Sequence, residues 1–136
     1  MYSDSSNLIK KFEKMISDDS SIFLDTDEVE EIILYYFNEG DIMMAEKAVA
    51  LGNSLYPNSI NINILYSEIL ILKGEITESY DLIDDMLSIN KNSQDLLFQK
   101  CKILTKLKKY KESISILKDI PKSDQLSFFV LDLLLK

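Results

Sequence analysis

The chain repeats itself every 34 residues, and that period constrains its fold more than any other feature. Gly40-Asp41-Ile42 recurs as Gly74-Glu75-Ile76, and again, with the glycine replaced, as Lys108-Lys109-Tyr110. Pro57-Asn58-Ser59 recurs as Lys91-Asn92-Ser93 at the same step. Between these anchors the small residues Ala45, Ser79 and Ser113 fall in register, as do Val49, Ile83 and Leu117, and Tyr36, Leu70 and Leu104. Several independent registers agree on one period, which a single matching pair would not establish.

Each period reads as two helices. Apolar residues at helical spacing run through Val29, Ile32, Ile33, Tyr36 and Phe37, then through Ile42, Ala45, Val49 and Leu51 after the glycine. Asp25 lies three residues before Glu28, the spacing of a capping box, and Ser59 and Ser93 stand as N-caps before the second and third helical pairs. Gly40 and Gly74 sit where the first helix of a pair must stop and the chain reverse. Pro57 follows the second helix, where its missing N–H does no damage. With only 3 glycines and 2 prolines, the chain favours helices with short connections over a turn-rich sheet.

This pattern resembles the tetratricopeptide repeat, a helix-turn-helix unit of 34 residues. Counting from Thr26 gives repeats 26–59, 60–93 and 94–121, after an N-terminal helix and connector (1–25) and before an apolar C-terminal helix (122–136) that suits the first half of a further repeat. The family's small residue at its eighth position is matched by Ser67 and Cys101 but not by Ile33. Ala45, Ser79 and Ser113 match its small position 20, and Ile42, Ile76 and Tyr110 its large position 17. Its proline appears once, as Pro57, and its fourth-position tryptophan is replaced by Val29, Asn63 and Leu97. The acidic opening Asp25 to Ile33 is similar to bacterial members. The resemblance implies an all-α fold: a right-handed superhelical stack of about three repeats, an α-solenoid, with a helix at each end.

The two ends read differently. Residues 6–17 form an amphipathic helix through Leu8, Ile9, Phe12, Met15 and Ile16, expected to cap the first repeat. A membrane-surface helix would need a basic face, and Asp4, Glu13, Asp18 and Asp19 dilute the lysines here. The segment after Pro121 is apolar nearly all round, which is wrong for a wet terminal cap. Three explanations stand: a longer array continues it, a second copy buries it, or it folds into the chain's own groove. Leu126, Phe128, Phe129, Leu131 and Leu134 are its expected self-association residues, and a homodimer is the expected consequence of the second case.

Composition then excludes most chemistry. There is no histidine, arginine or tryptophan, and one cysteine. No Ser-His or Cys-His pair, histidine-liganded metal or bidentate phosphate fork can form. Glu30-Glu31 and Asp84-Asp85 are neighbours that diverge on a helix. The three glycines are isolated, so no phosphate-cradling loop exists. Cys101 lies at a small-residue position on an apolar face and is expected to be a buried structural thiol. The expectation is a protein with no catalytic, cofactor or metal site, no bilayer-spanning stretch and a cytoplasmic location.

What remains is the surface that the architecture creates. By the resemblance, positions 2, 5, 9 and 12 of each repeat line a concave peptide-binding groove. These are Asp27, Glu30, Leu34 and Phe37, then Asn61, Ile64, Glu68 and Ile71, and finally Asp95, Phe98, Lys102 and Thr105. Acids among apolar anchors suit a protein or peptide with basic and apolar residues. The family's carboxylate-gripping positions read Glu30, Leu34, Leu65, Asp95 and Gln99, which do not support that activity. Net charge is uneven: residues 1–59 carry 12 acids and 4 lysines, whereas 94–136 carry 5 and 9. Acid in the groove and absent arginine disfavour nucleic acid. The leading expectation is a non-catalytic protein-binding scaffold. The alternative is a homo-oligomerising segment of a longer repeat protein, joined through its C-terminal helix.

Overall fold

The structure, a computed structural model, describes residues 2–120. The apolar C-terminal segment, with Leu126, Phe128, Phe129, Leu131 and Leu134, lies outside them. Seven helices and no strand occur among the described residues: α1 (Tyr2–Asp18), α2 (Thr26–Asn38), α3 (Ile42–Leu55), α4 (Ile60–Leu72), α5 (Ile76–Ile89), α6 (Gln94–Lys106) and α7 (Tyr110–Lys118). The first helices of the pairs begin at Thr26, Ile60 and Gln94, and the second at Ile42, Ile76 and Tyr110, each 34 residues after the last. The fold is the all-α helical repeat that the resemblance implies.

Identical backbone turns link the helices within each pair. The residue in the left-handed conformation is Gly40 (φ 76°), Gly74 (φ 82°) and Lys108 (φ 63°). In each turn its N–H bonds a carbonyl three residues back, and the next N–H reaches five back: Asp41 to Tyr36 at 2.9 Å, Glu75 to Leu70 at 2.8 Å and Lys109 to Leu104 at 2.9 Å. This is a Schellman closure, which satisfies carbonyls that the ending helix leaves open. The pairs begin on side-chain caps. Asp25 Oδ1 accepts from the Glu28 N–H at 2.8 Å while Glu28 Oε1 accepts from the Asp25 N–H at 3.1 Å, completing the capping box. Ser59 Oγ and Ser93 Oγ accept from Ile62 and Leu96, both at 3.3 Å. Each such cap contributes about 1 kcal/mol.

The described residues divide into two compact units, 2–69 and 70–120, with the division inside α4. In the first unit, Leu8, Ile9 and Phe12 of α1 share one buried cluster with Val29, Ile32, Ile33 and Tyr36 of α2, Ala45, Ala48 and Val49 of α3, and Ile62 and Ile69 of α4. Helix α1 is longer than the expected 6–17, and its apolar stripe packs in this core with Met15 and Ile16 at the margin. Burial of a ring such as Phe12, 0% exposed, contributes roughly 1.5–3 kcal/mol. Ile33, the large residue at a small-residue position, is also fully buried in this cluster.

Gly52 lies against side chains of two neighbouring helices. A Cβ there would lie 2.7 Å from Val29 Cγ1 and 3.2 Å from Ile62 Cγ2, so α3 meets both α2 and α4 at a point that only hydrogen fits. Two polar ties complete the unit. Tyr56 Oη donates to the Leu24 carbonyl at 2.5 Å, and Asn63 Nδ2 donates to the carbonyls of Pro57 (3.3 Å) and Ser59 (2.8 Å). Asn63 stands at the family's tryptophan position and is 4% exposed; its amide braces the turn that precedes its own helix.

In the second unit, Ser79, Ile83, Met86 and Leu87 of α5 and Leu96, Ile103 and Leu104 of α6 are buried. Lys100 Nζ reaches Asp84 Oδ1 at 2.8 Å and stands 5.4 Å from the Tyr80 ring centroid, tying α6 to α5. Burial pushes the Lys100 ammonium down, but Asp84 and Tyr80 outweigh that and leave it raised. Between α6 and α7 the small residues meet: Ser113 Oγ donates to the Cys101 carbonyl at 3.3 Å, and Cys101 Sγ faces the Ser113 carbonyl at 3.6 Å.

Candidate binding surface

The candidate residues lie on the first helices of the pairs. In the first unit the N-terminal half of α2 offers Asp27, exposed, and Glu30, half-buried, and α4 offers Asn61, exposed. The three interact. Burial raises the Glu30 carboxyl above the usual range, the nearby Asp27 charge raises it further, and a hydrogen bond from the Asn61 side chain partly offsets both. Positions 2 and 5 of one repeat thus meet position 2 of the next. Chemically, this is a carboxylate held at some electrostatic cost that a cation would relieve.

Apolar groups flank it. Leu34 is 43% exposed, and so is Tyr35 beside it. Phe37 differs: it is half-buried and packs on the core cluster. Ile64 and Glu68 on α4 are half-buried. In the second unit, Ile71, Phe98 and Lys102 are half-buried and Asp95 is exposed. Thr105 is exposed, but its hydroxyl donates to the Cys101 carbonyl at 2.9 Å and lies 3.2 Å from Ser113 Oγ, so it braces α6 against α7.

The remaining chemistry is sparse. Cys101 is 1% exposed and burial raises its thiol, which disfavours the reactive thiolate. Among the described residues no group of three metal-ligating side chains comes together, and no helix is long and apolar enough to cross a membrane. Sequence periodicity did not single out Tyr35, the brace at Asn63 or the contact at Gly52. Tyr35 carries a usable signal, since it follows Glu31 by one helical turn on the outward face of α2.

The family model described as anaphase-promoting complex, cyclosome, subunit 3, of tetratricopeptide type, matches residues 35–120, well over half of the chain. No curated protein matches significantly.

Proposed function

The chain belongs to the tetratricopeptide-type repeat family of anaphase-promoting complex, cyclosome, subunit 3, and on that premise we propose that it is a non-catalytic scaffold that binds a protein or peptide along the first helices of its repeats, 26–59, 60–93 and 94–121. The observation that carries this is the Asp27–Glu30–Asn61 cluster beside exposed Leu34 and Tyr35. A raised carboxylate next to apolar side chains selects a ligand with basic and apolar residues. The excess of acid in residues 1–59 and the lack of arginine argue against nucleic acid, and a single buried thiol fits the cytoplasm.

The test is binding of short fluorescent peptides that alternate lysine with leucine or phenylalanine, measured by anisotropy. Wild type should bind them, and Asp27→Lys with Leu34→Ala should lose most of the affinity. Equal binding by the two proteins, or none by wild type, overturns the assignment. A second reading, homo-oligomerisation through residues 122–136, is favoured by their almost unbroken apolar sequence. Self-association abolished by Phe128→Glu with Leu131→Glu would support it.

A further inference from the structure

We propose that the acidic face of α2 binds the α6–α7 turn of a second copy of this chain, so that molecules associate head to tail through unlike surfaces. The proposal rests on the binding-surface reading above and names its occupant. The ligand chemistry that α2 selects, lysine next to an apolar side chain, is present in the chain as Lys108-Lys109-Tyr110-Lys111.

That turn has the backbone of its two counterparts but a different residue at its left-handed position. Gly40 and Gly74 adopt the left-handed conformation without strain, with nothing within 4 Å of a Cβ, whereas Lys108 holds φ 63° at the same step of the repeat. A lysine there costs folding stability, and such strain persists in proteins chiefly where the side chain serves another end. Lys109 opens α7 without a side-chain cap. Tyr110 (54% exposed) and Ile114 (52%) follow one turn apart on α7. An open, shallow hollow of about 460 Å³ borders Lys108 to Glu112.

The α2 face is its complement. Asp27 and Glu31 lie one turn apart and are both exposed, with Leu34 and Tyr35 following at 43% exposure. Each patch therefore pairs charges with two half-exposed apolar side chains, and the charges have opposite signs. The bias extends beyond the patches, since residues 1–59 carry 12 acids against 4 lysines and residues 94–136 carry 5 against 9. Because the two patches differ, the contact is heterologous: each molecule in a pair keeps one patch open, and the pair keeps one of each kind. Exposed charges make the association salt-dependent.

Sedimentation velocity of the full chain tests this. Wild type should show concentration-dependent association that weakens at least about tenfold between low salt and about 0.5 M salt, where the screening length shrinks to a few ångströms. Lys108→Glu/Lys109→Glu/Lys111→Glu and, separately, Asp27→Lys/Glu31→Lys should each sediment as monomers with unchanged helical circular dichroism. An equimolar mixture should associate again, because one variant offers two acidic patches and the other two basic ones. A monomeric wild type at low salt, association untouched by either variant, or a mixture that stays monomeric overturns the proposal. If it is overturned while Asp27→Lys still abolishes binding of the basic peptides, the binding surface stands and only its occupant is wrong.

Discussion

The phenol of Tyr36 donates a hydrogen bond to Glu13 Oε2 at 2.8 Å, pinning α1 to α2 at the rim of the first core. The Tyr36 ring also meets Phe12 of α1, with centroids 6.0 Å apart. Burial, followed by the Glu13 carboxylate, holds the phenol above its ordinary value of 10.0, because ionisation would set an anion against an anion. A raised pKa in the folded state means that this contribution is complete below about pH 10 and is lost as pH rises beyond it. Tyr36→Phe should cost about 1 kcal/mol at neutral pH and make the alkaline loss of stability shallower than in wild type. Urea unfolding at several pH values between neutrality and strong alkali measures both effects. A variant with the wild-type alkaline slope would show that Tyr36 does not carry it.

Gly52 and Gly40 should fail in different ways when changed to alanine. At Gly52 the new methyl meets Val29 at 2.7 Å, and overpacking of this kind costs about 1–3 kcal/mol. At Gly40 there is open space, and the cost is the left-handed backbone, about 1–2 kcal/mol. Adding Val29→Ala should partly rescue Gly52→Ala and leave Gly40→Ala unrelieved. Double-mutant cycles in chemical denaturation show whether the coupling is confined to the first pair.

Lys108→Gly should stabilise the fold by about 1 kcal/mol, because it removes the left-handed strain that the two sister turns avoid. The same change should weaken head-to-tail association. Thermal unfolding and sedimentation on one protein sample read the two effects, and their opposite signs are the expected signature.

Glu30 should titrate above the usual carboxylate range, since burial and then Asp27 disfavour its charge. Asp27→Asn should lower that value and Asn61→Ala should raise it, as followed by carboxyl carbon shifts in nuclear magnetic resonance. The raised value means that Glu30 favours the folded state most when protonated, and that this contribution is lost as pH rises through its titration. Glu30→Gln should therefore raise the melting temperature at neutral pH while reducing affinity for basic peptides.

Much of the fold was legible because its signals are local. Schellman turns need a residue that tolerates positive φ, and capped helix starts need an acceptor at a fixed spacing. Both leave marks at Gly40, Gly74, Asp25, Ser59 and Ser93. What escaped depends on how helices rotate against each other. Gly52 looks in sequence like a weak helix residue, and only the approach of Val29 and Ile62 explains it. Asn63 looks like a missing tryptophan until its amide is seen bracing Pro57 and Ser59. On the candidate surface, repeat positions name Asp27, Glu30 and Asn61 without showing that the three side chains interact. They do not distinguish a side chain that faces outward from one such as Phe37 that leans on the core, or a hydroxyl such as Thr105 that turns back onto its own helix.

Cys101 gives the molecule a clock. It is the only thiol in the chain, 1% exposed and enclosed where α6 meets α7. A thiol reagent can reach it only when the packing around it opens, so the rate of modification counts those openings in an otherwise silent background. Any ligand that clamps the α6–α7 turn slows that count, and the unaltered protein thereby carries its own binding reporter.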